Sequence, residues 1–263
     1  MKKIICYLLI MLILLSMLFC FSGCSNKENS QVNIPKKTSN TNTSNTNNST
    51  NNKEVDYKGN AEKQMSMPKE GETVAILHVK KFGDIKVKFF NDIAPKAVEN
   101  FITHAKEGYY DGLTFHRVME EFMIQGGDPK GDGTGGESIW GSGFETELNN
   151  SVVPYRGALC MAMSSLPNSI GSQFFIVQAN PSETMGRYLK NGGYPTELIE
   201  QYKEFGGYLS LYMQYTVFGQ VYEGMNVVDE IVKVDKTMSS TGEESVPVED
   251  IIIESIEVTN YSK

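Results

Sequence analysis

The sequence predicts a mainly β domain, a closed antiparallel β-barrel capped by α-helices. Two observations carry this prediction. Short segments of apolar and β-branched residues recur from residue 73 almost to the C-terminus, and glycines or polar residues separate them. Two segments with helical spacing of their apolar residues interrupt the series, one early and one late. Many strands with few helices are typical of a capped barrel.

The first elements follow from residue spacing and from the residues at their ends. Residues 73–79 and 84–90 are rich in apolar and β-branched residues, and the short polar link between them indicates a β-hairpin. Residues 95–107 place their apolar side chains on one helical face. Pro95 stands at the start of this helix and Gly108 just past its end, which is the usual asymmetry of helix termini.

The remaining elements surround one glycine-rich loop. Apolar residues from 115 to 125 recur at one- and two-residue intervals, which predicts two strands joined by a turn. Residues 126–143 contain too many glycines for regular structure and should form an ordered loop. Apolar spacing at residues 225–232 predicts the late helix. Further strands are predicted at residues 157–163, 173–177, 216–221 and 251–258.

Three blocks of sequence carry a family pattern. The first runs from Phe115-His-Arg-Val118 through Phe122-Met-Ile-Gln-Gly-Gly-Asp128 to Gly133-Thr-Gly-Gly136, the second is Gly171-Ser-Gln-Phe-Phe-Ile176, and the third is Tyr215-Thr-Val-Phe-Gly-Gln-Val221. They closely resemble, in order, the signature blocks of the cyclophilin-type peptidyl-prolyl cis-trans isomerases. The resemblance covers roughly residues 71–258. It implies a closed barrel of eight strands capped by two α-helices.

The resemblance also implies a reaction and a set of site residues. Rotation about an X–Pro bond is slow, with a barrier of about 18–20 kcal/mol, and breaks no covalent bond. A catalyst therefore needs an apolar pocket for the proline ring and a donor that binds the twisted amide better than the planar forms. By resemblance, Arg117 is the donor, and Phe122 and Gln125 complete the catalytic group. The implied substrate-binding residues are Met123, Ala162, Met163, Gln173, Phe175, Leu211 and Tyr215.

Composition limits the partners and cofactors. The net charge of −8 at pH 7 argues against nucleic acid, because phosphate binding needs clustered Lys and Arg. Cys160 is the only cysteine outside residues 1–24 and is interpreted as a small core residue. The three histidines form no Cys/His cluster, so neither a metal nor a cofactor is expected. We expect a monomer that acts on proline-containing polypeptides.

The N-terminal quarter of the chain predicts export and anchoring. Lys2 and Lys3 precede an apolar run that ends in Phe21-Ser-Gly-Cys24, which resembles a bacterial lipobox. We predict a lipoprotein signal peptide at residues 1–23, lipidation at Cys24, a disordered Asn/Ser/Thr-rich linker over residues 24–67 and the isomerase domain at residues 68–263. An uncleaved membrane anchor is the alternative. Either way, the domain should lie at the extracytoplasmic face of the bacterial membrane.

Two stretches depart from the family pattern. Residues 195–206 predict an inserted helix, with Thr196 as its cap and Gly206 as its end. Ser210 stands where family members often have tryptophan, and Tyr212-Met213 replaces a turn-forming Asp-Gly. We therefore expect weak binding of the inhibitor cyclosporin. The same change leaves open an alternative function, a module that binds proline-containing peptides as a chaperone or scaffold with little turnover.

Overall fold

The computed structural model describes residues 55–263. The predicted signal peptide, Cys24 and the linker up to residue 54 lie outside the described residues. The strands are β1 (Thr73–Val79), β2 (Gly83–Phe89), β3 (Arg117–Met119), β4 (Met123–Gly126), β5 (Ala158–Met161), β6 (Phe174–Val177), β7 (Val217–Glu223), β8 (Lys236–Met238), β9 (Glu244–Pro247) and β10 (Ile253–Asn260). The helices are α1 (Tyr57–Met65), α2 (Pro95–Lys106), α3 (Glu183–Asn191), α4 (Thr196–Phe205) and α5 (Met225–Ile231), with a 3-10 turn at Leu209–Leu211.

Eight strands form one curled antiparallel sheet. Their order is β10-β1-β2-β7-β5-β6-β4-β3, and β8 and β9 form a separate hairpin. Register shifts interrupt three of the pairings, β1 with β10, β2 with β7 and β5 with β7. Such irregularities bend strands and increase their twist, which suits a sheet that curls around a core.

The sheet is a half-barrel, and the prediction of a closed barrel is wrong. Strands β10 and β3 are its two edges. The segment before β3 approaches the segment before β10 through local backbone hydrogen bonds, including one from Phe115 N to Ile251 O at 2.9 Å, but only an isolated bridge, Thr114 with Ile252, results. Strand β3 has three residues, and its outer neighbour is β9 rather than β10.

The main core lies inside the curl of the sheet. Helix α2 contributes the fully buried Phe101, whose ring meets those of Phe174 and Phe218 with centroids 5.2 and 5.4 Å apart. Cys160 lies in a separate buried cluster with Met123 and Phe175. It is fully buried, and burial raises the pKa of its thiol, so its interpretation as a small core residue is confirmed. The predicted early and late helices are present as α2 and α5.

Helix α1 was not predicted. Residues 57–65, which the linker prediction included, form this helix, and its Tyr57, Ala61 and Gln64 are buried. Their spacing of four and three residues puts them on one helical face. The Lys88 ammonium on β2 donates to the carbonyl oxygens of Lys63 at 3.0 Å and Ser66 at 2.6 Å, at the C-terminal end of the helix. Residues 57–65 therefore belong to the described fold, although they precede the predicted start of the domain at residue 68.

The connection between β6 and β7 contains the insertion. The predicted helix near residues 195–206 is present as α4, but Pro195 rather than Thr196 occupies its N-cap position. Helix α3 precedes it and was not predicted, so the structure has more helices than expected. Both helices pack with α1 around a second apolar cluster: Tyr57, Ala61, Val153, Tyr155, Leu189, Leu198, Ile199, Tyr202 and Leu209. Of the helices within residues 55–263, none has the length and apolar character needed to cross a membrane.

Candidate active site

The first wall of the candidate site is the β3–β4 hairpin. Arg117 and Gln125 are direct cross-strand partners in its register, so their side chains leave the same face. Phe122 lies in the tight turn between the strands, where its N–H donates to Met119 O at 3.2 Å. The guanidinium carbon of Arg117 stands 5.6 Å from the centre of the Phe122 ring, which places a cation over an aromatic face.

An apolar pocket lies beside this hairpin. Buried side chains from β4, β6 and the 3-10 turn (Met123, Phe175 and Leu211) form its floor. Tyr215 meets the edge of Phe175 with ring centroids 5.5 Å apart. The cavity measures about 110 Å³, enough for a small apolar ring. Its lining residues are Arg117, Phe122, Met123, Gln125, Ala162, Met163, Phe175, Leu211 and Tyr215.

A chain of amides fixes the orientation of Gln125. Its Nε2 donates to Gln173 Oε1 at 2.9 Å, and Gln173 Nε2 in turn donates to the carbonyl oxygens of Gly133 at 3.1 Å and Gly135 at 2.8 Å. Since only the NH2 group of Gln173 can donate to carbonyls, its oxygen must face Gln125. Gln173 therefore lies behind Gln125, and of the ten residues predicted for the pocket it alone does not line it.

The glycine-rich loop supports this amide chain. Both carboxylate oxygens of the buried Asp128 accept from the loop backbone, from Lys130 N at 2.8 Å and Gly133 N at 2.7 Å. Gly127 has a φ of 84°, and a side chain there would meet Ser172 O at 2.6 Å, so this position requires glycine. The loop is thus ordered, as predicted, and it presents fixed carbonyls to Gln173.

An unpredicted carboxylate pairs with the candidate donor. Glu243 accepts from Arg117 Nε at 2.6 Å and from Arg117 Nη2 at 2.8 Å. The hydrogen bond from Arg117, together with its positive charge, lowers the pKa of Glu243. Glu243 follows a polar segment that comes after α5, and this segment has no apolar periodicity. The sequence offered no signal for it because its contact depends on how the β8–β9 hairpin packs beside β3.

His116 lies away from the pocket although it neighbours Arg117 in sequence. Its side chain is buried, and burial lowers the pKa of its imidazole.

Tyr208, another residue that the sequence did not indicate, packs on the ring of Phe122 with ring centroids 4.5 Å apart. It comes from the end of the insertion, and its position depends on how that insertion folds back.

A curled antiparallel sheet with a small apolar pocket, a guanidinium and an oriented amide defines a cyclophilin-like domain. A profile described as "Cyclophilin type peptidyl-prolyl cis-trans isomerase/CLD" matches residues 73–258. The chain therefore belongs to the cyclophilin-type peptidyl-prolyl cis-trans isomerase family, and it is an enzyme of that class.

Relatives and solved structures agree with this assignment. A Staphylococcus epidermidis protein assigned as a peptidyl-prolyl cis-trans isomerase is 48% identical over 190 residues, which are 72% of this chain and 93% of that protein. A Staphylococcus aureus protein with the same assignment is 47% identical over the same shares. A cyclophilin-type isomerase from Cryptosporidium parvum has a TM-score of 0.57 at 28% identity, covering 72% of this chain and 99% of its own. Its structure in the presence of the dipeptide Ala-Pro gives a TM-score of 0.56 at 29% identity over the same shares.

Proposed function

We propose that this isomerase rotates X–Pro bonds by holding the proline ring in the apolar pocket while Arg117 donates to the twisted amide. The observation that carries the proposal is the convergence of a guanidinium, an oriented amide and an apolar floor on one cavity of about 110 Å³. In the planar amide, resonance holds the nitrogen lone pair in the C–N bond. As the bond twists, the lone pair becomes available to a donor, so a fixed donor stabilises the twisted form more than either planar one.

The pocket walls contribute by excluding water. Met123, Phe175 and Leu211 offer no polar side-chain group, so a proline ring seated on them removes solvent from the neighbouring amide. A hydrogen bond from Arg117 then acts at lower effective dielectric, where a preorganised donor has a larger effect. Gln125 would bind the substrate backbone next to the proline, and Ala162 with Met163 would contact the adjacent residue.

The test is isomerase turnover of the full-length chain, solubilised in a mild detergent, on an Ala-Pro tetrapeptide. A charged hydrogen bond is worth about 1.5–3 kcal/mol, so Arg117→Ala should lower kcat/KM about 10- to 100-fold. Arg187→Ala is the matched control, because it removes the same charge from the surface of α3, where the guanidinium only reaches Thr184 Oγ1 at 3.5 Å. Equal turnover by Arg117→Ala and the control would remove Arg117 from the mechanism.

We further propose that the enzyme acts on exported proteins from a lipid anchor at Cys24. The support is the sequence of the leader, its lipobox-like end and the polar stretch that follows. Two acyl chains suffice for stable anchoring. Metabolic labelling with palmitate should mark the wild type and not Cys24→Ser, and the variant should leave the membrane fraction or keep its leader. Unlabelled wild-type protein would contradict lipidation and favour the uncleaved anchor.

We also propose that the enzyme assists the folding of exported proteins. An X–Pro bond in the wrong isomer delays folding by tens to hundreds of seconds, so an isomerase beside the membrane would act on chains as they emerge from it. The expected result is faster refolding of a secreted protein whose slow phase is limited by proline isomerisation. Arg117→Ala should not accelerate it; acceleration by both proteins would instead indicate the chaperone alternative.

A further inference from the structure

Glu243 and Gln125 contact opposite edges of the Arg117 guanidinium. Glu243 binds Nε and Nη2 side-on through both of its carboxylate oxygens, at 2.6 and 2.8 Å. Two parallel charged hydrogen bonds fix both the position and the rotation of the guanidinium plane. Nη1, on the other edge, lies 3.3 Å from Gln125 Oε1.

The loop that carries Glu243 is itself held in place. The backbone carbonyl of Glu243 accepts from Ser239 N at 2.7 Å, and the Glu243 N–H donates to Ser239 Oγ at 3.2 Å. These bonds close the turn between β8 and β9, and β9 packs against β3, which carries Arg117. The Glu243 side chain therefore extends toward Arg117 from a turn whose backbone is held by hydrogen bonds.

Glu243 does not block the site. It is absent from the residues that line the pocket, whereas Arg117 lines it. A guanidinium has five N–H bonds. Within residues 55–263, Glu243 takes two of them, Met119 Sδ lies 3.3 Å from Nη2, and Gln125 takes one from Nη1. One Nη1 N–H is left for a substrate.

We propose that Glu243 is a positioning residue that turns the Nη1 edge of Arg117 toward the pocket and keeps it there between turnovers. This inference rests on the proposed role of Arg117 as the donor. The Arg117 and Glu243 side chains are 32% and 30% exposed, and pairs at such exposure add little to stability. Their contribution is therefore expected in catalysis, because a donor that is already oriented need not be ordered during the reaction.

Side-chain NMR tests the pair without using activity. The chain has three arginines, Arg117, Arg156 and Arg187, so a spectrum of arginine Nε–H groups has few signals, and Arg117→Lys identifies the one that matters. In full-length protein in mild detergent, Glu243→Gln should shift the Arg117 Nε–H signal and speed its exchange with water. Glu244→Gln is the matched control, since it makes the same change at the next position, on an exposed residue. It should leave that signal unchanged.

Kinetics test the consequence. Glu243→Gln should lower kcat about three- to tenfold, in the lower range for coupled neighbours, and change KM less than about twofold. The loss belongs in kcat because an oriented donor acts on the twisted amide rather than on the bound ground state. Glu244→Gln should match the wild type in both constants.

Three results would contradict the proposed role of Glu243. Wild-type kcat in Glu243→Gln would overturn the proposal, and so would an unchanged Arg117 signal. A higher kcat would also overturn it, because Glu243 would then restrain Arg117 rather than position it. Full activity of Arg117→Ala would instead refute the proposed donor, and the NMR result would still report whether the pair exists.

Discussion

The unpredicted helix α1 provides a test of how the folded domain is held together. Gln64 Nε2 donates to Val153 O at 2.7 Å and to Gln220 Oε1 at 3.0 Å, and Gln64 Oε1 accepts from Val153 N at 3.0 Å. Gln64→Ala leaves two buried groups without these partners, the Val153 N–H and Gln220 Oε1. Val153 O keeps a second donor, Tyr155 N at 2.7 Å. Each orphaned buried group costs about 1–3 kcal/mol, so the two together should cost about 2–6 kcal/mol.

Thermal unfolding of the full-length chain by circular dichroism measures this loss. For a domain of this size, about 2–6 kcal/mol corresponds to a decrease in Tm of roughly 4–24 °C. Glu62→Ala is the control, because Glu62 lies on the exposed face of the same helix, and its Tm should stay close to that of the wild type. If Gln64→Ala unfolds at the same temperature as this control, the packing of α1 on the sheet does not support the domain as described.

Three further predictions concern single side chains. Cys160 should resist thiol reagents in the native enzyme and react only after unfolding, because it is fully buried and burial raises the pKa of its thiol. Cyclosporin should bind weakly, and Ser210→Trp should strengthen that binding in a calorimetric titration, since Ser210 is an exposed residue in the 3-10 turn beside the pocket. Arg117 lowers the pKa of Glu243 below its usual 4.5, so the stabilisation from their pair is present above pH 4.5 and is lost as the pH falls through the lowered value. Because the pair is about one-third exposed, it adds little to stability, so acid unfolding should be only slightly steeper for the wild type than for Glu243→Gln.

Sequence patterns correctly predicted the strands and helices that are determined by residues close together in the chain. The first hairpin and the helix that begins at Pro95 are present close to their predicted bounds, because alternation and end residues determine them locally. The candidate pocket was predicted through family resemblance, and the structure brings nine of its ten proposed residues to one cavity. Closure of the barrel was not predictable in this way. It depends on which segments lie beside the two edge strands, and β9 rather than β10 packs against β3.

The features that the sequence did not reveal depend on contacts between distant segments. Helix α1 has few apolar residues, and two of its three buried residues, Tyr57 and Gln64, carry polar groups. Its composition therefore resembles that of a polar linker. Glu243 lies 126 residues from Arg117, in a polar turn like many surface turns. Only the packing of β9 beside β3 brings the two together.

The second apolar cluster connects α1 and the insertion between β6 and β7 to the candidate site. Tyr57 of α1 and Leu198 of α4 pack in it together with Leu209, the first residue of the 3-10 turn. Leu211, two residues on, belongs to the cluster beneath the pocket. The 3-10 turn therefore connects the pocket to the cluster that the insertion and α1 form. An isomerase fragment that begins at residue 68 would lack part of that cluster, so activity measured on it would underestimate the enzyme.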